Sequence, residues 1–216
     1  MSSKNQATLL EVPASATIPA EGAARLTYEE FLAQTSDGTL AEWVDGGVIT
    51  MTVSNEHQEL VYFLAALLRH FVEATETGRV FGEPFQMKTG TNLPGRAPDL
   101  FFVSKKRLSR VRHHHYEGPA DLVIEIISPE SRNRDRGEKF YEYEQSGVKE
   151  YWLIDPQRQQ AEFYQRSRKG IYQIAQPDAQ GLYHSAILKG LWIKVDWLWQ
   201  EPLPLLMKVL KEWGLV

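Results

Sequence analysis

The sequence predicts a mixed α/β fold with helices flanking a central sheet, from three features of its 216 residues. Residues 54–75 carry apolar side chains at helical spacing, as one face of an amphipathic helix does. Residues 121–127 form a short, almost wholly apolar run, which is typical of a buried strand. A predicted helix at 132–146 separates that strand from another at 149–155, so helix and strand alternate as they do in α/β domains.

The N-terminal segment is predicted to have no regular structure. Residues 1–25 are rich in Ala, Ser, Thr, Pro and Glu and show little hydrophobic periodicity, so we expect a flexible arm. The remaining residues, 26–216, are expected to form one domain, because they contain neither an internal repeat nor an interdomain linker and suffice for a full hydrophobic core.

Two short elements are predicted directly after the arm. Thr27 and Glu30 have the spacing of a capping box at the start of a helix over 27–35. A hairpin follows at 41–51, with Asp45-Gly46-Gly47 as its turn.

The elements of the central region follow from periodicity and from turn residues. The long helix at 54–75 is expected to end at Gly78. Strands are expected at 79–89 and 99–104, with a loop of Gly, Pro, Thr and Asn between them. The remaining predicted elements are a hairpin of 160–166 with 170–176, a strand and turn at 191–199, and a helix at 202–213.

Composition excludes several classes of protein. The chain has no cysteine, which excludes disulfides, thiolate nucleophiles and cysteine-based zinc sites and fits a reducing, cytoplasmic location. No apolar run approaches the ~18 residues of a membrane helix, and we see no secretory signal. The formal net charge is −4, so nucleic-acid binding requires a local basic patch.

One acidic residue interrupts the apolar strand 121–127. Glu125 lies among Leu, Val and Ile, where an unpaired charge costs several kcal/mol. If the strands 99–104 and 121–127 are neighbours about 4.8 Å apart, Asp99 and Glu125 point to one place. Two carboxylates at that spacing repel unless a cation lies between them, and their hard oxygens suit Mg²⁺ or Mn²⁺. The alternative is structural: Asp99 caps a turn, and Glu125 pairs with an Arg or a Lys.

The residues around these acids resemble a known family. "PDL" at 98–100, "ADLVIEIISPES" at 120–131 and "RDRGEKFYEYEQSGVKEYWLIDP" at 134–156 resemble the Uma-type putative restriction endonucleases of the PD-(D/E)XK nuclease superfamily. The resemblance covers roughly 25–200 and is densest over 119–156. It implies a restriction-endonuclease-like core, a mixed sheet flanked by helices. It also implies a metal-dependent hydrolase that acts on DNA, and we expect a homodimer.

The resemblance implies roles for several residues. Asp99 corresponds to the Asp of the PD motif and Glu125 to the second acid, and with the backbone carbonyl of Ile126 they are the implied metal ligands. Glu42 resembles an extra acid that the N-terminal part of the core supplies. His57 matches a His at the start of the family's long helix, where activation of water, phosphate binding, capping and support of the site remain open.

The superfamily's lysine is missing from its usual position. It should lie two residues after the second acid, on the same strand face, where this sequence has Ile127. Lys139 matches a Lys of the family's "DR..K" segment, and we expect its helix to fold back so that the ammonium group points at Glu125. Asp135, four residues earlier on the same helix face, is expected to hold that ammonium group. The alternative for Lys139 is a solvated residue on a helix surface.

The segment 104–115 contains the densest basic stretch of the sequence. Its cations are expected to contact DNA phosphates, with an exposed solubilising loop as the alternative. The cations predicted to bind nucleic acid are Lys105, Lys106, Arg107 and Arg110. The histidines at 113–115 cannot all face one ion, so a solvated loop is favoured over a metal site. For the C-terminal tryptophans, packing is favoured over base stacking; they are Trp192, Trp197, Trp199 and Trp213.

Two functions from different classes follow from these features. The first is a metal-dependent endonuclease that hydrolyses DNA, with Asp99, Glu125, Lys139 and Glu42 as catalytic residues. The second is a catalytically silent module of the same fold that binds nucleic acid or a partner protein. The acids and the candidate lysine favour the enzyme, whereas Ile127 and the acidic net charge favour the silent module.

Overall fold

The protein is described by a computed structural model over residues 25–34, 41–50, 54–90, 93–128 and 132–216. Residues 1–24 of the predicted arm, and Met51 at the end of the predicted hairpin, lie outside these ranges. The helices within them are α1 Tyr28–Gln34, α2 Asn55–Thr75, α3 Arg132–Arg136, α4 Glu138–Ser146 and α5 Leu206–Glu212. None of these helices is long and apolar enough to cross a membrane.

The strands of the first half are β1 Ala41–Val44, β2 Gly47–Thr50, β3 Gly78–Gly82, β4 Gln86–Lys88, β5 Gly95–Arg96, β6 Leu100–Ser104 and β7 His115–Glu117. Those of the second half are β8 Leu122–Ile126, β9 Glu150–Asp155, β10 Gln160–Arg166, β11 Tyr172–Ala175, β12 Leu182–His184 and β13 Trp192–Lys194. Two short 3-10 helices cover Lys105–Arg110 and Val195–Trp199.

The larger sheet has six strands in the order β11-β10-β9-β8-β6-β3. β8 and β9 are parallel, and the other neighbours in this sheet are antiparallel. α3 and α4 form the crossover between β8 and β9 that parallel neighbours require. The fold is therefore the predicted mixed α/β arrangement, with a mixed sheet flanked by helices.

Hydrophobic cores lie on both faces of this sheet, because the side chains of β8 alternate between them. Leu122 and Ile124 pack in the core that contains the apolar face of α2. Val123 and Ile127 pack in the other core, together with Tyr143 of α4. Glu125 shares the second face, so the strand carries its one acid toward α4.

A second, smaller sheet has five strands in the order β2-β1-β5-β4-β7, and its strand β1 carries Glu42. The predicted hairpin forms β1 and β2, and its turn residues Asp45 and Gly46 both have positive φ, 48° and 82°. The capping box of α1 is also confirmed: the Glu30 N–H donates to Thr27 Oγ1 at 3.1 Å, and the Thr27 N–H donates to Glu30 Oε2 at 2.8 Å.

The long helix ends at Thr75 as predicted, but Gly78 does not cap it. The capping residue is Glu76, which takes the left-handed conformation (φ 49°) and whose N–H lies against the carbonyls of Val72 and Glu73. Gly78 instead begins β3, where a Cβ atom would lie 2.1 Å from the carbonyl oxygen of Val103. Gly78 is thus needed for strand pairing rather than for a helix cap.

Three further predicted boundaries are corrected. The single strand predicted at 79–89 is two strands, β3 and β4, in different sheets with a turn between them. The helix predicted at 132–146 is interrupted at Gly137, where φ is −110° and ψ is −90°, so α3 and α4 are separate helices. The last helix begins at Leu206 rather than near residue 202.

Candidate functional site

The register of the main sheet places Asp99 beside Glu125. β6 and β8 are antiparallel neighbours in which Leu100 lies opposite Ile124. Asp99, one residue before Leu100, is therefore opposite Glu125, and both side chains lie on the face that carries Val123. The strands predicted to be neighbours are neighbours, and the two acids share a face.

Lys139 lies at the centre of the cluster, with 2% of its surface exposed. Its Nζ is 3.1 Å from Glu42 Oε1, 3.1 Å from Glu125 Oε1 and 3.2 Å from Asp135 Oδ1. The break at Gly137 makes Lys139 the second residue of α4 rather than a residue two turns into one long helix. The alternative of a solvated surface lysine is wrong.

Glu42 is held by cations on both oxygens. Arg96 Nη1 donates to Glu42 Oε2 at 3.0 Å, while Lys139 contacts Oε1. Burial alone raises the pKa of Glu42, but Lys139, Arg96 and Arg134 outweigh it and hold the pKa at about 2. Arg96 is itself buried, and its Nε and Nη2 donate to Glu142 at 2.8 and 2.7 Å. Glu42 is therefore an ionised carboxylate at neutral pH.

Asp99 is held by the start of α2. His57, in the first turn of that helix, places its Nε2 3.1 Å from Asp99 Oδ1, and the Ile126 N–H donates to Asp99 Oδ2 at 2.5 Å. Burial lowers the pKa of His57, but the hydrogen bond and the charge of Asp99 raise it by more. Nδ1 of the same ring is buried without a hydrogen-bond partner among the described residues.

The pKa of Glu125 lies well above its ordinary range. Burial is the largest cause; Lys139 opposes the rise, whereas the charges of Asp135 and Asp99 add to it. The Tyr143 hydroxyl donates to Glu125 Oε1 at 2.7 Å. Burial, together with these charges, therefore outweighs Lys139 and favours the protonated form of Glu125.

One further acid near the cluster, Glu83, was missed by the sequence analysis. Burial and then the charge of Asp99 raise its pKa to about 8. Arg96 and Tyr143 were missed as well. No motif in the sequence marks either residue. Arg96 contacts Glu42 and Tyr143 contacts Glu125, and both contacts join elements that are far apart along the chain.

The chemistry of the donor set fits a divalent cation. Asp99 and Glu125 offer hard oxygens on adjacent strands, and these are the ligands that Mg²⁺ and Mn²⁺ prefer. As they stand, no three His, Asp or Glu side chains of the described ranges converge closely enough to hold an ion. The Lys139 ammonium group draws Glu42, Glu125 and Asp135 toward itself instead.

Ile127, at the position where the resemblance led us to expect a lysine, is a core residue. Ile127 is 2% exposed and packs with Val123 and Tyr143. The only ammonium group that contacts the acids within the described residues therefore comes from α4 and not from β8.

The basic stretch lies at the other end of β6 from Asp99. Lys105 follows that strand, six residues after Asp99, which corresponds to roughly 20 Å. Lys105 pairs with Glu76 at 3.5 Å, and Arg107 pairs with the buried Asp121 at 3.0 Å. Among the described residues, neither Lys106 nor Arg110 forms a hydrogen bond or salt bridge with the acids. The four cations therefore do not belong to the acidic cluster, and their binding to DNA stays a prediction.

Two other sequence features have structural explanations. His113 and His114 are exposed, as predicted for a solvated loop, whereas His115 belongs to β7 and packs against the ring of Tyr28. The four C-terminal tryptophans pack in or against the core that contains α2, which confirms packing over base stacking for Trp192, Trp197, Trp199 and Trp213.

Comparisons with known proteins agree with this architecture. A solved structure described as a "putative nuclease belonging to DUF820" from Anabaena variabilis ATCC 29413 matches with a TM-score of 0.65 and 19% identity, covering 80% of this chain and 97% of that one. No curated protein matches. The family model described as "Uma2: Putative restriction endonuclease" matches residues 28–196, which is well over half of the chain. The chain belongs to the Uma2 family.

Proposed function

We propose that this protein is an endonuclease that hydrolyses DNA phosphodiester bonds with the help of Mg²⁺ or Mn²⁺. One observation carries the proposal. The buried Lys139 ammonium group lies 3.1 Å from Glu125, and Glu125 lies opposite Asp99 on the neighbouring strand. Carboxylates that can hold a cation, with an ammonium group beside them, are the parts that metal-assisted phosphodiester hydrolysis needs. The family match supports a nuclease, and the metal and the DNA are our extension of it.

Asp99 and Glu125 would hold the ion, with the backbone carbonyl of Ile126 as a further oxygen. When bound, the ion supplies charge neutralisation for the phosphate and lowers the pKa of a water molecule. His57 fixes the orientation of Asp99 through the 3.1 Å contact, in the way that second partners orient metal-binding groups. The Ile126 N–H fixes the other oxygen of Asp99.

Lys139 would act on the reacting groups rather than on the ion. Its ammonium group stabilises the negative charge that develops on the phosphate and orients the attacking water. Asp135 and Glu42 hold it in place at 3.2 and 3.1 Å, so its position is set before substrate binds. Glu42 in turn is fixed by Arg96. Glu42 and Asp135 therefore act through Lys139.

Cleavage of supercoiled plasmid by the purified protein tests this proposal. We expect nicking in Mg²⁺ or Mn²⁺, none in EDTA, and none from Asp99→Asn, which keeps the size of the side chain and removes its charge. A wild type that cuts no nucleic acid with either ion contradicts the proposal and favours the silent module. A homodimer and a cytoplasmic location remain predictions, which gel filtration and localisation of a tagged chain measure.

A further inference from the structure

A cleft of about 1250 Å³ lies on the face of the smaller sheet that points away from the acidic cluster. Glu42 of β1 faces the cluster, so its neighbour Trp43 lies on the opposite, outer face. Trp43 pairs with Gly95, and Gly95 pairs with Lys88, so Trp43 and Lys88 flank one glycine on that outer face. Both side chains line the cleft, which is therefore separate from the proposed catalytic site.

Three aromatic rings line this cleft. The ring of Tyr28 lies on the backbone of Gly95, where a Cβ atom would be only 2.4 Å from its Cε2 atom. The rings of Trp43 and His115 meet that of Tyr28 edge-on, with centroids 5.7 and 5.6 Å away. Trp43 and His115 are half-buried, whereas Tyr28 is 7% exposed and its hydroxyl group is buried without a hydrogen-bond partner among the described residues. The cleft thus offers aromatic surface together with an unused polar group.

Two cations of the cleft have no acidic partner within the described ranges. Lys88 Nζ lies 4.5 Å from the ring centroid of Trp43 and 5.0 Å from that of Tyr28, and it donates one hydrogen bond, to a backbone carbonyl. Arg110 is exposed, and its Nη1 would lie 2.9 Å from a Cβ atom at Gly118, so its guanidinium group rests against the backbone there. Most of the donors of these two groups are therefore left for a ligand.

The cleft is locally positive in a chain whose net charge is −4. The cations that line it within the described residues are Arg25, Lys88, Arg110 and Arg112. The acids that line it are fewer, and one of them, Glu117, is already paired with Arg112 at 2.6 Å. The other two, Glu29 and Asp45, are exposed to solvent, which screens their charge. An anionic ligand with flat apolar parts suits this combination of cations and rings.

We propose that this cleft binds single-stranded nucleic acid, with a base against the rings of Trp43 and His115 and a phosphate on Arg110. Aromatic side chains that stack on bases, beside cations that follow the backbone, are the features that single-strand binding sites combine. A single strand suits the cleft better than a duplex, because its bases have free faces for stacking. The site requires neither a metal ion nor cleavage, so it goes beyond the proposed hydrolysis and does not rest on it.

Fluorescence anisotropy of a short labelled oligothymidylate, titrated with the full-length protein in EDTA, measures the binding. We expect Arg110→Gln to weaken it and to reduce the slope of log affinity against log salt by about 0.7, the value for one phosphate contact of a single strand. Trp43→Leu should weaken binding roughly 5- to 100-fold, the range for stacking of one base on an aromatic side chain. Arg168→Gln removes the same charge from an exposed position between β10 and β11 and is the control.

Photocrosslinking of an iodouracil-substituted oligonucleotide locates the strand independently, and we expect the crosslinked peptide to contain Trp43 or His115. Crosslinks confined to other parts of the chain overturn the proposal, as does an Arg110→Gln protein with the affinity and salt slope of the wild type. Equal affinity for thymidine monophosphate would replace the single strand by a free nucleotide. Because Arg110 is exposed, its variant keeps the test valid even if circular dichroism shows that Trp43→Leu is unfolded. A wild type that binds in the cleft but never cuts leaves this inference standing and contradicts only the proposed hydrolysis.

Discussion

Removing the buried ammonium group should cost the protein much of its stability. In Lys139→Met the aliphatic stem is largely preserved, but Glu42, Glu125 and Asp135 lose a cation that lies 3.1 to 3.2 Å from each. Breaking a buried ion pair by removing one partner costs about 3–5 kcal/mol, because the remaining charge is buried without compensation. Glu42 keeps Arg96, so most of the penalty falls on Glu125 and Asp135.

The effect should be visible as a shift in melting temperature. For a domain of this size, 1 kcal/mol corresponds to roughly 2–4 °C, so the expected loss at pH 8 is roughly 6–20 °C. The matched control is Lys105→Met, whose salt bridge with Glu76 joins side chains that are 68% and 82% exposed. Exposed pairs contribute roughly 0–1 kcal/mol, so this control should melt within a few degrees of the wild type.

The loss in Lys139→Met should depend on pH in a defined direction. The pKa of Glu125 is already raised by burial, and removing Lys139 takes away the group that opposes the rise. An acid whose pKa is higher in the folded than in the unfolded state binds a proton more tightly when folded, so stability falls as pH rises through that window. The deficit of Lys139→Met relative to the wild type should therefore shrink between pH 8 and pH 5.5. A variant that melts with the wild type at pH 8, or a deficit that grows as pH falls, refutes this reasoning.

Three further predictions concern metal, DNA and the core. Mn²⁺ should raise the melting temperature of the wild type but not of Asp99→Ala, because an ion that binds only the native state stabilises it; equal shifts would place the ion elsewhere, with the exposed histidines as the first suspects. Replacing Lys105, Lys106 and Arg107 with Ala should weaken DNA binding and flatten its salt dependence without changing Mn²⁺ affinity, and an unchanged salt slope would leave this stretch a solvated loop. Glu150→Gln should destabilise the fold by roughly 1.5–3 kcal/mol or more while leaving Mn²⁺ binding intact, since this buried carboxylate accepts four hydrogen bonds of 2.6 to 3.0 Å; a melting temperature equal to that of the wild type would count against it.

The convergence of Asp99 and Glu125 could be predicted because it depends on local rules. Strand side chains alternate, so Asp99 and Glu125 share a face once the consecutive predicted strands 99–104 and 121–127 are taken as neighbours. The approach of Lys139 could not be derived in that way. It depends on how α4 packs on the sheet, and only the resemblance to a family pointed to this residue.

The misread elements share a different cause. We predicted one strand at 79–89, because hydrophobic periodicity does not show that β3 and β4 belong to different sheets. Glu83 lies in the turn between β3 and β4, which this prediction did not include. Gly137 is a single glycine within a charged run, and one glycine inside a predicted helix is too weak a signal to predict the break between α3 and α4.

Whether Lys139 serves the reaction from α4 is measured most directly by single-turnover DNA cleavage with Lys139→Ala, at a temperature where both proteins are folded and at saturating Mn²⁺ and DNA. The carboxylates hold the ion and the ammonium group stabilises charge that develops later, so its loss should slow the chemical step without weakening binding. We expect the rate to fall about 10²–10³-fold, or roughly 3–4 kcal/mol, with Mn²⁺ affinity equal to or above that of the wild type because a competing cation is gone. A Lys139→Ala protein that cuts as fast as the wild type would contradict the proposal that Lys139 acts on the reacting groups.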